Sequence, residues 1–228
     1  MPDMSHPPRR FCCDEDLFWI GYDGQNWESE LARLRTRGPR PWTAELVTVL
    51  VRQGVADATV LDIGAGVGAV HLALLEAGAA RAVDVDASRE YQGAARMEAE
   101  LRGLADRVTY HYGDVAELAD VLLEADVVTA DAVICCYPYL DRFLEAAVRS
   151  EPRLVGLTLP ADRWLVRARL GLSNALAALR RRMDHYYLHR HGEIDRLLVE
   201  LGYRAIHRGG SWYWSVLVYH RGPSGPAL

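Results

Sequence analysis

The sequence predicts an α/β protein: a seven-stranded, mostly parallel sheet with helices on both faces and a C-terminal antiparallel hairpin. Three observations predict it. Five short apolar segments between residues 59 and 159 alternate with helical patterns, the rhythm of right-handed βαβ units. A glycine-rich turn follows the first of these segments and opens a helix. The last two apolar segments, 203–207 and 212–219, are joined by the short connection Arg208-Gly209-Gly210-Ser211, which marks a hairpin.

Taken in order, residues 1–10 are polar and Pro-rich and read as a tail. Residues 11–27 are aromatic (Phe11, Phe18, Trp19, Tyr22, Trp27) but broken by Gly21, Asp23-Gly24 and Asn26. A helix over 28–37 stops at Gly38-Pro39-Arg40-Pro41, and a second runs over 43–53 with Thr43 as its N-cap. Strands are then expected at 59–63, 81–85, 108–112, 127–130 and 154–159. The helices between and after them fall at 69–77, 88–104, 115–123 and 140–150. Residues 162–184 read as one or two helices interrupted near Gly171 to Asn174, and a further helix covers 193–201. The organisation is an N-terminal tail and aromatic, helical cap at 1–42, one domain at 43–221 with a lid insertion at about 161–191, and a disordered tail at 222–228.

Composition narrows the function. The 228 residues suit one domain, with half of them hydrophobic and a quarter charged. A net charge of −5 and an acidic pI near 5.9 argue against nucleic acid as a partner, since such binders carry a basic face. The apolar runs are too short for stable membrane insertion, and no apolar signal core follows the first arginines. A cytoplasmic location is expected, and a homodimer is compatible with this composition. The four cysteines form two adjacent pairs, Cys12-Cys13 and Cys135-Cys136, neither with the two-residue gap of a zinc site. They read as reduced, structural thiols. All 26 cationic side chains are arginine, which excludes lysine Schiff-base chemistry and the P-loop.

The chemistry concentrates in Val60-Leu61-Asp62-Ile63-Gly64-Ala65-Gly66-Val67-Gly68-Ala69. Glycines after a strand allow a tight turn and let a ligand approach the backbone and the following helix N-terminus. Gly64, Gly66 and Ala69 satisfy the dinucleotide fingerprint, with Asp84 and Asp86 about twenty residues on. Asp62 speaks against a pyrophosphate there: at the end of the first strand and facing the crevice, its carboxylate would repel that anion. A cationic sulfonium and ammonium, as in S-adenosylmethionine, suit it better. Asp86, Asp114 and Asp131 follow three more strands at the ends where open α/β sheets bind ligands. The chemistry of a carboxylate suits Asp86 to ribose hydroxyls and Asp114 to an adenine amine. Each of the three also stands where a helix N-cap would.

These segments, with Val83-Asp84-Val85-Asp86-Ala87-Ser88 and Gly113-Asp114, resemble the class I S-adenosylmethionine-dependent methyltransferases over residues 43–160. The tract from Asp131 to Tyr137-Pro138 is similar to small bacterial enzymes near the magnesium-protoporphyrin O-methyltransferases, with Cys136 where those tend to carry histidine. The resemblance implies a Rossmann-like fold and S-adenosyl-L-methionine as cofactor. It implies Gly64, Ala65, Gly66 and Gly68 along the methionine part, with Asp62 in the polar network near the ammonium. It further implies Asp86 at the ribose, Ala87 on the adenine face, Asp114 and Val115 at the adenine, and Asp131 near the amino-acid end. Arg37 is the candidate partner of the methionine carboxylate.

The acceptor side is expected from Tyr137, Tyr139 and the segment after the fifth strand. There Leu165, Leu172, Leu176, Leu179 and Met183 fall at helical spacing beside Arg163, Arg167, Arg169 and Arg180 to Arg182. A core-facing amphipathic helix, a lid over an anionic or aromatic acceptor, and a membrane-surface helix all fit this pattern. His189 is the candidate general base, with Tyr137 beside the reacting group, while His191 serves a helix start. No metal is expected, because His185 and His189 have no accompanying carboxylate motif. The leading reading is methyl transfer to oxygen or nitrogen of a small-molecule acceptor. An NAD-dependent oxidoreductase and a non-catalytic cofactor-binding module stay open.

Overall fold

A computed structural model of the chain describes residues 26–118, 124–179 and 186–222. Two helices come first, α1 (Trp27–Arg37) and α2 (Pro41–Arg52). Then follow β1 (Thr59–Ile63), α3 (Ala69–Glu76), β2 (Arg81–Asp86), α4 (Arg89–Leu101), β3 (Val108–Tyr112) and α5 (Val115–Leu118). The second half holds β4 (Val127–Asp131), α6 (Leu140–Ala147), β5 (Leu154–Pro160), α7 (Trp164–Leu179), α8 (His191–Glu200), β6 (Tyr203–Gly210) and β7 (Trp214–Arg221).

Among the described residues, seven strands form one sheet in the order β3-β2-β1-β4-β5-β7-β6. The first five are parallel, and β7 lies antiparallel to both β5 and β6. Every residue of β1 is buried, as a central strand covered on both faces requires. Leu61 and Ile63 enter the core under α6 and α8, whereas Val60 enters the core under α2 and α3. Alternation therefore sends Asp62 to the α2–α3 face. The order reverses between β1 and β4, so the strand ends open a crevice at that switch point.

Three expectations change. Thr43 does not cap α2: the helix begins at Pro41, whose ring is preset for a first helical position, and Arg40 is its cap. The break near Gly171 does not occur, and α7 is continuous. Asn174 holds both the Tyr186 amide and its carbonyl, which ties α7 to the returning chain and overrides a weak local signal. The hairpin strands reach further, to Gly210 and Arg221, than apolar alternation marks. The N-terminal aromatic stretch before Asn26, Cys12-Cys13, residues 119–123 and 180–185, and the C-terminal tail after Gly222 lie outside the described residues. Among the described residues, no helix is long and apolar enough to cross a membrane.

Candidate functional site

The strand ends of β1, β2 and β4 and the turn after β3 surround a cavity of about 490 Å³. Its floor is the turn after β1, where Gly64 and Gly66 adopt positive φ of 63° and 57°. Glycine is required most at Gly64, because a Cβ there would fall on the Val133 side chain. The Gly66 N–H donates to Asp86 Oδ2 at 2.9 Å, and the Ser88 N–H to Oδ1 at 2.8 Å. Burial pushes the Asp86 carboxyl up to about 6, against those amide bonds, which favour its charge. Ser88, not Asp86, caps α4 through its side chain.

Asp114 lines the next sector with Gly113 and Val115. The Tyr137 hydroxyl donates to both of its oxygens at 2.9 Å, and the Ala116 N–H donates at 2.9 Å. Tyr137 is therefore a positioning residue for Asp114, and it packs its ring against Phe143. At the end of β4, Asp131 accepts from Thr43 Oγ1 at 2.6 Å and from Thr158 Oγ1. Burial again raises its pKa, opposed by the two hydroxyls. Thr43 thus locks α2 to β4 across 88 residues of sequence.

Helices α1 and α2 form the opposite wall with Glu30, Arg33, Leu34, Arg40 and Trp42. Arg40 pairs with Glu30 at 3.4 Å and lies over the Trp42 ring. Trp42 stacks on Trp214 of β7, with centroids 4.6 Å apart. The Arg33 Nε is buried and has no partner among the described residues. None of these wall residues carried a sequence signal beyond helical periodicity, which assigns a face but not a partner.

Several predicted residues stand elsewhere. Ala65 and Ala87 line the cavity, as do Gly64, Gly66, Asp86, Asp114, Val115, Asp131 and Tyr137. Asp62 does not: it is buried beneath the turn, bonded to His71 Nδ1 at 3.0 Å and to Thr129 Oγ1 at 2.6 Å. Its β-strand parity points it at α3, so it does not face the crevice, although its charge adds to the upward shift of the Asp86 and Asp131 carboxyls. Gly68 also lies below, and a Cβ there would come within 3.0 Å of the His71 ring. Arg37 is exposed on α1 and outside the lining, one turn beyond Arg33. His189 is turned away: its Nε2 donates to the Tyr137 carbonyl at 2.8 Å, and it borders a separate small pocket. Tyr139 packs against the core, and His191 begins α8 with Nε2 at 3.2 Å from the Pro160 carbonyl.

The family described as "methyltransferase domain" matches residues 60–150, from β1 to the end of α6. Ribosomal protein L11 methyltransferase of Aeromonas hydrophila is 37% identical over 94 residues, covering 41% of this chain and 31% of that protein. The Edwardsiella ictaluri relative of the same name is 34% identical over 141 residues, 62% of this chain and 42% of that protein. The chain thus spans between about a third and two fifths of the length of those curated relatives. Among solved structures, magnesium protoporphyrin IX methyltransferase from Synechocystis, with S-adenosylhomocysteine bound, superposes with a TM-score of 0.65 at 19% identity, covering 90% of this chain and 85% of that one. An O-methyltransferase family protein from Burkholderia thailandensis gives 0.67 at 17% identity, covering 87% and 60%. Sequence match and strand order agree: residues 60–150 match the methyltransferase-domain family, and the sheet has the order of the Rossmann-like methyltransferase fold.

Proposed function

We propose that this protein transfers a methyl group from S-adenosylmethionine to an oxygen or nitrogen of a small-molecule acceptor. The observation that carries the reading is the Gly66 N–H to Asp86 bond at 2.9 Å. In a dinucleotide site the turn amides would face a pyrophosphate; here one of them holds a carboxylate toward the cavity. Four carboxylates (Glu30, Asp86, Asp114, Asp131) and two arginines (Arg33, Arg40) line that cavity. Such a wall favours a ligand with a sulfonium and an ammonium over a polyphosphate.

The residues present fit that cofactor. Asp86 would accept from ribose hydroxyls, Asp114 and Val115 would meet the adenine edge, and Ala87 its face. The backbone of Gly64, Ala65 and Gly66 would run along the amino-acid part, with Asp131 near the ammonium and Arg33 toward the carboxylate. Bound, the cofactor supplies an electrophilic methyl whose leaving group is a neutral thioether. The chain supplies alignment, which can raise effective concentration to about 10⁵–10⁸ M. Trp42, Trp214, Cys136 and Tyr186 line the remaining wall and would receive the acceptor.

Calorimetry with S-adenosylmethionine and S-adenosylhomocysteine, on wild type and Asp86→Ala, tests the reading. Micromolar binding weakened by the substitution is expected. Heat with NAD and none with either sulfur ligand would overturn it.

A further inference from the structure

Cys135 and Cys136 stand side by side in the 3-10 turn Ile134–Cys136 between β4 and α6. Their sulfurs are 4.0 Å apart. Cys136 is half-buried and lines the cavity, whereas Cys135 is buried and borders the small pocket beneath Tyr187 and His189. The Cys135 thiol donates to the Ala132 carbonyl at 3.4 Å. Its own carbonyl accepts the Tyr187 N–H at 2.8 Å, and the Cys136 N–H is held by Val133 at 2.8 Å. The backbone therefore presents both thiols from one fixed turn.

A disulfide within this pair is disfavoured. It needs sulfurs about 2.05 Å apart and Cα atoms usually about 4.4–6.8 Å apart. Neighbouring residues joined by a trans peptide have Cα atoms only about 3.8 Å apart. A single atom bonded to both sulfurs is a better fit: two bonds of about 2.3 Å, the length of a zinc–thiolate bond, cross the gap at a bent angle. A four-ligand centre has no further donors at hand, because the described residues hold no cluster of three or more His, Cys, Asp or Glu able to hold a metal ion. What suits two soft sulfurs is a thiophilic centre that needs only two protein ligands.

We propose that Cys135 and Cys136 form a dithiol site on the cavity wall that captures a trivalent arsenic centre of the arsenoxide type. The step balances without an oxidant or reductant. The two S–H bonds and the As=O bond are replaced by two As–S bonds, and the oxygen leaves as water with both thiol protons. The organic substituent on arsenic extends from the Cys136 side into the cavity. The second As–S bond closes within one turn, so its effective concentration is high. Reagents that attack one thiolate behave differently. The hydrogen bond with Cys136, and burial, push the Cys135 thiol well up, so alkylation at Cys135 should be slow at neutral pH. The proposal does not rest on the methyl-transfer reading, although Cys136 belongs to the wall assigned there to the acceptor.

The test uses phenylarsine oxide on the full chain carrying Cys12→Ser and Cys13→Ser, since those residues form a second adjacent pair. One phenylarsenic group per chain is expected by intact mass, with both remaining thiols protected. The adduct should be reversed by 2,3-dimercaptopropanol and resist an equal concentration of a monothiol. Adding Cys136→Ser should weaken retention at least about tenfold, by loss of the chelate. The unfolding midpoint of the adduct should rise, because a ligand of the native state stabilises it. Retention unchanged by Cys136→Ser overturns the proposal. So does a lowered midpoint, which would mean that only the opened chain reacts; this readout needs no variant of the pair.

Discussion

His71 Nδ1 lies 3.0 Å from an Asp62 carboxylate oxygen, and both side chains are almost wholly shielded from solvent. Thr129 donates to the other oxygen at 2.6 Å, so the carboxylate is held from α3 and β4 at once. Asp84 sits beside Asp62 in the strand register, on the same face, and Gln92 of α4 donates to it at 3.0 Å. Burial opposes charge on the imidazole, but the hydrogen bond and charge of Asp62, with Asp84 adding, hold the His71 pKa above its ordinary 6.5. A raised histidine contributes stability that is complete below about 6.5 and is lost as pH rises through the folded value. His71→Gln should therefore cost about 3–5 kcal/mol at pH 6, the effect of breaking a buried pair, and less at pH 9. Urea unfolding at the two pH values checks this. An equal loss at both would mean that the imidazole does not titrate between them.

The same pair separates what the sequence discloses from what it does not. A strand ending in Asp62-Ile63-Gly64, then a helix, is legible because glycine alone readily takes the positive φ found at Gly64 and Gly66. Asp86, Asp114 and Asp131 are legible because topology brings the ends of β1, β2 and β4 and the turn after β3 to one crevice. The direction of Asp62 is not: it follows from alternation along β1 and from which core lies on which face. His189 and Arg37 stand outside the cavity for a related reason. Residue type suits each to the chemistry, but the Tyr137 carbonyl and the exposed side of α1 take them away from the cavity. Contacts such as Thr43 with Asp131 and Trp42 with Trp214 join segments far apart in the chain. No local pattern encodes such a meeting.

Asp86 carries a pH dependence that belongs to ligand binding. Its carboxyl titrates near 6, raised by burial, so it is protonated in acid and ionised at neutral pH. A ribose diol bound there would donate to the ionised form. Affinity for S-adenosylhomocysteine should fall as pH drops, reaching about tenfold weaker at pH 5 than at pH 8. Asp86→Asn should flatten that profile. Calorimetry at both pH values decides, and a wild-type profile as flat as the variant's would remove Asp86 from the ribose.

The two glycines of the turn should respond unequally to a methyl group. At Gly66 the nearest atom to an added Cβ is Tyr91 Cδ1 at 3.8 Å, so Gly66→Ala meets only the left-handed backbone penalty of about 1–2 kcal/mol. At Gly64 the same penalty is joined by overlap with Val133, which belongs to the turn after β4. Gly64→Ala should be destabilised by clearly more, and Val133→Ala should restore part of that loss. Chemical unfolding of the three variants measures it. No rescue in the double variant would place the strain elsewhere.

Arg33 and Arg37 share α1 but not its environment. Arg33 lines the cavity with its Nε buried, whereas Arg37 is exposed. A carboxylate reaching Arg33 would gain a charge-assisted bond of about 1.5–3 kcal/mol, or roughly ten- to more than a hundredfold in affinity. Arg33→Met should weaken S-adenosylhomocysteine by that order, while Arg37→Met should leave it within about twofold, as surface pairs contribute little. Methylthioadenosine separates a lost contact from a damaged fold, because it keeps the nucleoside and lacks the amino-acid carboxylate. Its affinity should be the same for wild type and Arg33→Met. A matching loss for both ligands would show that Arg33 shapes the wall formed by α1 and does not meet the carboxylate.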